Sequence, residues 1–460
     1  MAPIPLEGRY GGLWRNFTVW FTPNMEISGV FTGTIAISLG LSVWQGLVAV
    51  VLGVAVGAVP VAVLSRLGPQ TGMAQLPLAR LPFGKTISVP AAVQWFSSIM
   101  WDALVGFFGG QALAALLNIP FAAGVIIVLA IQGALGFIGY EAIHQFEKWA
   151  ALVAAAFFLL LAFRVVQHGN FPTESTVQGS GAVGAWLLMF AISISLGIGW
   201  ASYASDYSRY MKPDTDVSKV AWLTFAGLFV SYVWVVVIGL LAGTILTNQT
   251  AQGVRDLMDN TALGYVALIA MSVGAVASNC MNDYSGSLAF QAAGIKIRRP
   301  WVALLVTIIA FVLIMWMNSG DLVGKFTDLV LFTGYWVAPF SAIVLLDWIQ
   351  VRRELTPREI ERLIHFQKLD SGWIALISLL GGFGAMIPFM NTTLVMGPVA
   401  SALNGADVSF FVGFIVALVL FYVLNKVFRT PSAGQLTSFG KPHQSRLGRE
   451  RNDAGQRRSN

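Results

Sequence analysis

Long apolar runs follow one another along most of the chain and are separated by short polar or charged stretches. The runs are close to the roughly 17–25 residues that an α-helix needs to cross a bilayer, and they are too long for the alternating strands of a membrane barrel. We number the predicted transmembrane helices as spans one to twelve. They lie at about residues 16–39, 43–65, 88–116, 121–139, 148–166, 181–206, 221–246, 263–292, 301–317, 326–346, 373–389 and 410–427.

Spans one and six are each interrupted by residues that weaken a helix. Pro23 and Gly29 bound the interruption in span one, and Gly197 and Gly199 lie in the interruption of span six, at residues 195–203. These residues free backbone amide and carbonyl groups, which are tolerated at membrane depth where they line a cavity or are buried in protein. Broken helices in corresponding positions are typical of secondary transporters built from inverted repeats, and they mark the binding site.

The composition is that of an integral membrane protein. Of 460 residues, 56% are hydrophobic and 11% are charged, whereas about 25% are charged in soluble domains. The mean hydropathy is +0.71. With the N-terminus inside, 25 of the 28 Lys and Arg residues are cytoplasmic, and Arg164, Arg255 and Lys325 are outside. This asymmetry predicts a multi-pass protein of the cell inner (plasma) membrane with both termini cytoplasmic. The net charge of +6 therefore reflects topology and contact with lipid, not nucleic acid.

Motifs of soluble enzymes are incomplete in this sequence. The Gly-Lys-Thr run at residues 84–86 resembles half of a phosphate-binding loop, but Ala79 stands where the first glycine is required. Gly197 and Gly199 lack the third glycine of a dinucleotide-binding fingerprint and lie inside a predicted span. The four histidines fall in loops or in the tail. We therefore predict no enzymatic activity, no catalytic residue, no metal site and no cofactor.

A small set of polar and aromatic residues remains inside the predicted spans. Ionisable groups at such depth are costly, and they usually face the bundle interior or a wet cavity. The set comprises Asn24, Glu26 and Ser28 on span one; Ser98, Trp101 and Asp102 on span three; Trp200, Ser202 and Asp206 on span six; and Asn279, Asn282 and Asp283 on span eight. A tryptophan could instead belong to the interfacial belt, and an asparagine could serve only to join helices.

Several motifs are spread from span one to span eight. They are Asn-Met-x-x-Ser at residues 24–28, Gly-Pro-x-x-Gly at 68–72 with Arg-x-x-Phe-Gly at 80–84, the segment Gly-Trp-Ala-Ser-Tyr-Ala-Ser-Asp-Tyr from Gly199, and Ser-Asn-Cys-Met-Asn-Asp-Tyr-Ser at 278–285. In order and spacing this set resembles the purine-cytosine permeases of the nucleobase:cation symporter-1 family. The resemblance implies an all-α polytopic membrane protein with twelve transmembrane helices. These form a five-plus-five inverted repeat, with helices 1 and 6 broken, plus two extra helices.

On that template the chain divides into six regions. They are the cytoplasmic N-terminus (residues 1–15), the first repeat (16–166), the second repeat (181–346), a cytoplasmic loop (347–371), spans eleven and twelve (372–428) and a basic tail (429–460). The tail is rich in Arg, Ser, Gly and Gln, a composition typical of disorder.

The resemblance also implies roles for single residues. The family's stacking tryptophans correspond to Trp101 and Trp200, its substrate-binding asparagine to Asn282, and its first-helix serine to Ser28. A flat ring stacks well between aromatic faces, and an amide offers both a donor and an acceptor to its edge. We add Ser98, Gly199 and Asn279 as neighbouring candidates. Met281, Val105 and Glu26 depart from the fungal pattern, which leaves the identity of the base open.

The coupling ion is predicted to be a proton, with sodium as the alternative. Glu26 and Asp102 are carboxyl groups on spans that line the presumed site, and a buried carboxyl can exchange a proton during transport. Glu26 could instead bind substrate, and Asp102 could be a structural partner. A sodium ion would require oxygen ligands such as the Ser278 hydroxyl and the backbone near Asn24 and Ile27, and Ser278 supplies a single hydroxyl.

The predicted function is import of a purine, cytosine or a related flat heterocycle by cation symport, with alternating access. An amino-acid or polyamine carrier of the same broken-helix fold is an alternative, which would capture a carboxylate or an amine instead of a ring. A sensor that binds a base without moving it is another, although the polar tail is too short for a signalling domain. The sequence does not indicate the oligomeric state.

Overall fold

The computed structural model describes residues 3–138, 140–169, 171–246, 250–259, 261–294, 299–352, 357–364 and 369–428. The predicted disordered tail at residues 429–460 lies outside this part. Within it, the regular elements are helices, apart from an isolated antiparallel bridge between Asn391 and Met396. One compact unit comprises Met1–Phe421, and a second, Tyr422–Asn460, is described only over the last turns of span twelve.

The helices follow the predicted spans closely. They are Leu13–Phe21 and Ile27–Ser38 (span one), Val43–Ser65 (two), Ser88–Leu117 (three), Phe121–Ile138 (four), Tyr140–His168 (five), Gly179–Ile198 and Ala204–Ser208 (six), Val217–Ala242 (seven), Ala262–Ala292 (eight), Arg299–Met317 (nine), Leu322–Tyr335 and Val337–Asp347 (ten), Trp373–Met386 (eleven) and Ser409–Phe428 (twelve).

Length and hydropathy agree with a polytopic membrane protein. In the described part of the chain, seven helical stretches are long and apolar enough to cross a bilayer. Shorter apolar helices coincide with spans one, four, five, nine and eleven. The protein is therefore an all-α, multi-pass membrane protein. The count of twelve spans, the inverted repeat and the division into regions stay predictions.

Some segments are more helical than the sequence pattern predicts. The connection between spans two and three forms the helices Leu67–Thr71 and Gln75–Phe83, and it is mostly buried. Span five begins at Tyr140, eight residues before the predicted boundary, because Glu, Gln and Ala extend a helix without making it apolar. A short helix, Pro357–Ile364, lies within the predicted cytoplasmic loop.

Glycines let neighbouring spans pack backbone to backbone around span one. A Cβ atom at Gly33 would collide with the carbonyl of Val236, and one at Gly239 would collide with the carbonyl of Val30. Small residues at such crossings favour close helix packing in membranes. The second half of span one is therefore held tightly against span seven.

Candidate functional site

Span one changes direction where the sequence predicts its break. The first helix ends at Phe21, a 3-10 turn covers Thr22–Asn24, and Glu26 is extended before the second helix begins at Ile27. Glu26 is an N-cap: its carboxylate accepts hydrogen bonds from the Ser28 amide (2.6 Å) and the Ser28 hydroxyl (2.5 Å). An oxygen at this position satisfies amides that the first helical turn leaves free.

Span six also breaks at its glycines. The α-helix continues to Ile198, and a 3-10 turn, Gly199–Tyr203, separates it from the short helix Ala204–Ser208. Trp200 lies on this turn and is half-buried. Its indole nitrogen donates to the Tyr232 hydroxyl of span seven at 2.8 Å, and Trp20 of span one stands edge-on to it at 5.8 Å between ring centroids. Side chains of two other spans therefore hold the Trp200 ring.

Trp101 of span three lies beside the break in span six. Its indole nitrogen is 3.8 Å from the position that a Cβ atom on Gly199 would occupy. Trp200, the next residue, makes ring contacts with Trp20 and Tyr203 rather than with Trp101. The structure thus brings together the two tryptophans that the family resemblance selects, and neither ring covers the other.

A buried polar group extends the contact between spans three and six. The Ser202 hydroxyl donates to the Gln94 side-chain carbonyl, and the Gln94 amide nitrogen donates to the Tyr203 hydroxyl. All three side chains are buried. Neither Gln94 nor Tyr203 is among the site residues predicted from sequence. Gln94 could have been found, because it precedes Trp101 by about two helical turns and so shares its face.

The asparagines of span eight belong to a network that joins three spans. The Asn279 amide nitrogen donates to the Asp102 backbone carbonyl (3.1 Å) and to the Gln132 side-chain carbonyl of span four (2.9 Å). The Asn282 amide nitrogen donates to the Asn279 side-chain carbonyl at 3.3 Å. Asn279 therefore has the contacts expected of a residue that joins helices. Asn282 is bonded to Asn279, and its side chain is 5% exposed.

Asp102 faces span eight, whereas Trp101 faces span six. The Asp102 side chain is fully buried, and no described residue donates a hydrogen bond to either of its carboxylate oxygens with regular geometry. The carboxyl group of Asp283 and the amide of Asn282 are its side-chain neighbours. Asp283 is among the polar residues predicted to lie inside the membrane, without a predicted role, and Gln132 is not among the predicted site residues.

The remaining candidates lie near the break in span one or near span eight. Asn24 is buried and donates to the Trp20 carbonyl at 2.6 Å, and Ile27 is buried at the start of the second half-helix. The Ser278 hydroxyl donates to the Pro23 carbonyl at 3.3 Å. Ser98 donates to the carbonyl of Trp95 at 2.7 Å, and its side chain packs against Gly286 of span eight.

No group of His, Cys, Asp and Glu side chains with the makings of a metal site occurs among the described residues. The geometry instead offers aromatic rings, amides and carboxyl groups at the meeting point of spans one, three, six and eight. Whether Trp101, Trp200, Asn282 and the other candidates bind substrate or ion stays a prediction. Their proximity makes it testable.

The chain is similar in sequence to known permeases. A family model described as a permease for cytosine/purines, uracil, thiamine and allantoin matches residues 3–413. A putative purine-cytosine permease of Bacillus subtilis, YxlA, is 28% identical over 433 residues, which cover 92% of this chain and 94% of that protein. The purine-cytosine permease fcyB of Emericella nidulans is 26% identical over 428 residues, covering 87% and 82%.

Solved structures show the same fold. The inward-facing conformation of Mhp1 matches with a TM-score of 0.71 at 16% identity, over 96% of this chain and 97% of Mhp1. A closed conformation of Mhp1 with bromovinylhydantoin bound, described as a nucleobase-cation-symport-1 family transporter, also matches with a TM-score of 0.71, at 15% identity over 94% and 97% of the two chains. The match of the family model to nearly the whole chain shows that this protein belongs to the nucleobase:cation symporter-1 family of permeases, which are membrane transporters and not enzymes.

Proposed function

We propose that this protein imports a purine, cytosine or a related flat heterocycle across the cell inner (plasma) membrane by symport with a proton. The observation that carries the proposal is the position of Trp101 beside Gly199 and Trp200 at the break in span six. A ring between two aromatic side chains gains about 1–3 kcal/mol per base from stacking. The curated relatives include purine-cytosine permeases and a vitamin B6 transporter, TPN1, of Saccharomyces cerevisiae.

Polar recognition is assigned to Asn282. Its side chain lies next to Asp102, the residue that follows Trp101, and is tethered by Asn279. An amide can pair with the donor and acceptor atoms on the edge of a pyrimidine or purine. Ser28 and Ser98 are proposed to adjust which base is preferred. This combination of aromatic faces and an amide favours a flat heterocycle over an amino acid or a polyamine.

Alternating access is proposed from the position of the breaks. One crevice is lined by Tyr10 before span one and by Arg15 and Asn16 in its first half, together with Tyr207 and Tyr210. Another is lined by Ile27, Phe31 and Thr34 of its second half together with Phe108 and Val254. A site at the break between the two halves could open to one crevice at a time, as expected of a broken-helix transporter.

Proton coupling is proposed because the described site holds carboxyl groups and few ligands for a hard cation. Glu26 and Asp102 are buried on spans one and three. The alternative sodium position has the Ser278 hydroxyl beside the Pro23 carbonyl, whereas sodium would require several oxygen ligands. The proposed topology keeps both termini in the cytoplasm, so that the imported base and proton move toward the basic loops.

The test is uptake of labelled bases. Cells that express the protein are offered cytosine, adenine, hypoxanthine, uracil, allantoin and hydroxymethylpyrimidine, with cells that lack the protein as the control. Purified protein in proteoliposomes is then given an inward pH gradient without sodium, or a sodium gradient at symmetric pH. We expect concentrative uptake of at least one base in the pH gradient. Uptake of none of these compounds would contradict the proposed substrate class, and concentration by sodium alone would contradict proton coupling.

A further inference from the structure

Two carboxyl groups from different spans meet inside the helix bundle. Asp102 is the sole acidic or basic side chain of span three, Ser88–Leu117, and Asp283 is the sole carboxyl side chain of span eight, Ala262–Ala292. The two carboxyl groups are neighbours, because Gln132 and Asn279 link the Asp283 carboxylate to the backbone of Asp102. Asp102 is fully buried, and no described residue donates to its carboxylate oxygens with regular geometry. The natural partner of Asp102 is therefore the other carboxyl group.

The pair is enclosed by a ring of amides. The Gln132 amide nitrogen donates to Asp283 Oδ2 at 3.4 Å, and its carbonyl accepts from Asn279 at 2.9 Å. Asn279 closes the ring by donating to the Asp102 backbone carbonyl at 3.1 Å. Spans three, four and eight each contribute to this ring. The ring holds the Asp283 carboxylate and the Asp102 backbone in place by hydrogen bonds. Its amides supply no positive charge to the pair.

The charges around the pair do not neutralise it. Within the described part of the chain, no Lys, Arg or His forms an ion pair with either carboxyl group. The Tyr203 hydroxyl of span six is close enough to interact electrostatically with Asp102, and Glu26 is the carboxylate of span one. The side chains of residues 140–145, 147, 148 and 151 of span five lie outside the described ones. Two like charges in contact at low dielectric strongly disfavour joint ionisation, so one carboxyl group retains a proton.

We propose that Asp102 and Asp283 share one proton, and that this pair is the site where the coupling proton binds and leaves during transport. The inference rests on the proposed proton symport and assigns its residues. In the symport cycle, a proton from outside binds the pair in the conformation in which the two ionised carboxylates lie apart, and an O–H···O bond then forms between the carboxyl groups. The same proton is released to the cytoplasm when that bond breaks. No other bond is made or broken.

Glu26 is assigned a different role by its contacts. Both of its carboxylate oxygens accept hydrogen bonds from Ser28, which makes it the cap of the second half-helix of span one. Asp102, in contrast, has the Asp283 carboxyl group as a neighbour beside the Asn282 amide. Of the two buried carboxyl groups proposed for coupling, Asp102 is therefore the one that exchanges a proton.

The pair is placed to communicate with substrate. Asn282 is a side-chain neighbour of Asp102 and is bonded to Asn279, which belongs to the ring around the pair. Losing the shared proton leaves two repelling charges that push spans three and eight apart. This movement shifts Asn282 on span eight relative to Trp101 on span three. Because linkage is reciprocal, bound substrate then raises the affinity of the pair for its proton by the same factor that the proton raises the affinity for substrate.

The test separates exchange from accumulation in proteoliposomes. Asp283→Asn and Asp102→Asn keep the shape of the pair and remove one titratable group, and Asp328→Asn is the matched control. Asp328 is a buried carboxylate of span ten whose partner is Thr393. Labelled cytosine is measured in exchange without any gradient, and in uptake with acid outside. A gradient of one pH unit drives up to about tenfold accumulation for one proton per substrate.

We expect wild type and Asp328→Asn to accumulate cytosine. Both pair variants should still exchange it, but the ratio of internal to external cytosine should fall to about one, because transport is no longer tied to the proton gradient. Pair variants that accumulate cytosine as wild type does would overturn the inference while leaving the proposed function intact. A wild-type sodium-driven accumulation that the pair variants lose would show that the pair binds sodium, which overturns the proton assignment.

A second measurement does not depend on transport. Infrared spectra of the purified protein in water and heavy water identify protonated carboxyl groups by their exchangeable C=O band. We expect such a band at neutral pH in wild type, in Asp328→Asn and in Glu26→Gln, and a shifted or absent band in both pair variants. A wild-type protein without the band, or with a band that neither pair variant alters, overturns the inference. Absence of base uptake with the band present would instead contradict the proposed function and the coupling role that rests on it, while the shared proton itself would stand.

Discussion

The indole nitrogen of Trp200 donates a hydrogen bond to the hydroxyl of Tyr232, with 2.8 Å between the two atoms. Tyr232 is buried on span seven, and Trp20 supports the same indole edge-on from span one. The Trp200 ring is therefore held in one orientation by spans on both sides of it. Preorganisation of this kind lowers the cost of ordering a binding surface when the ligand arrives.

The first prediction is that Trp200 and Tyr232 act as a pair. Tyr232→Phe leaves the indole N–H without its acceptor, which costs up to about 1–3 kcal/mol and loosens the ring. We expect Tyr232→Phe alone to bind substrate more weakly than wild type. Adding Tyr232→Phe to Trp200→Phe should cause little further loss of affinity, because Trp200→Phe has already removed the indole N–H. Binding measurements on the two single variants and the double variant give the coupling energy, about 0.5–3 kcal/mol for residues in contact.

The control for this cycle is Tyr265→Phe. Tyr265 is on span eight, but it is 44% exposed and contacts Arg255 instead of the candidate site. Its substitution should leave substrate affinity unchanged. Fully additive effects of Tyr232→Phe and Trp200→Phe would show that the hydrogen bond does not position the ring for substrate.

The second prediction concerns stacking by the tryptophans. Trp101→Ala and Trp200→Ala should each weaken substrate binding by about 1–3 kcal/mol, or about 5- to 150-fold, whereas Trp101→Phe should keep much of the binding because the aromatic face remains. Trp222→Ala is the matched control, since Trp222 is 70% exposed. If folded samples of both alanine variants bind substrate with wild-type affinity, the substrate does not stack between these two rings.

The breaks in spans one and six could be predicted from sequence because helix-weakening residues act locally. Pro23 and the glycines around Gly199 occupy the 3-10 turns or border them in the structure. The proximity of Trp101 and Gly199 was accessible only through the family resemblance, because the packing of span three on span six is a long-range contact that residue periodicity does not encode.

The ring of amides around Asp102 could not be predicted from the residues alone. Gln132 is a single amide within the apolar run of span four, and its sequence position does not indicate which helix it faces. Its contacts with Asn279 and Asp283 come from the packing of span four on span eight. A mid-span amide is still a useful signal, because a polar group at membrane depth requires a partner.

The third prediction concerns Asn282. Asn282→Ala should reduce transport of every accepted base, because removing an amide leaves polar groups of the bound ring unpaired at about 1–3 kcal/mol. Ser98→Ala should instead change the order of preference among bases. Asn279→Ala should mainly lower thermal stability in detergent, since Asn279 joins spans three, four and eight. Normal transport by Asn282→Ala would show that a residue other than Asn282 makes the polar contact with the base.

The fourth prediction tests the packing of span one on span seven. Gly239→Ala places a methyl group where the backbone carbonyl of Val30 already lies, so the two spans must separate. We expect a lower melting temperature in detergent and reduced transport. Gly384→Ala in span eleven is the control, because a Cβ atom there meets nothing within 4 Å; replacing glycine by alanine inside a helix should stabilise it by about 0.5–1 kcal/mol. Equal melting temperatures for the two variants would contradict the close crossing.

The last prediction uses Ser278 to decide between the coupling ions. Its hydroxyl donates to the Pro23 carbonyl at 3.3 Å and so ties span eight to the break in span one. If a proton drives transport, Ser278→Ala loses an ordinary hydrogen bond of about 0.5–1.5 kcal/mol, which affects stability more than coupling. Accumulation in an imposed pH gradient should then stay close to wild type, and sodium should have no effect on either protein.

If sodium drives transport, the same substitution removes an oxygen ligand, and a much higher sodium concentration is needed for half-maximal uptake. Sodium titrations of uptake by wild type and Ser278→Ala at symmetric pH separate these outcomes, because only a sodium ligand at Ser278 makes the variant's sodium dependence shift.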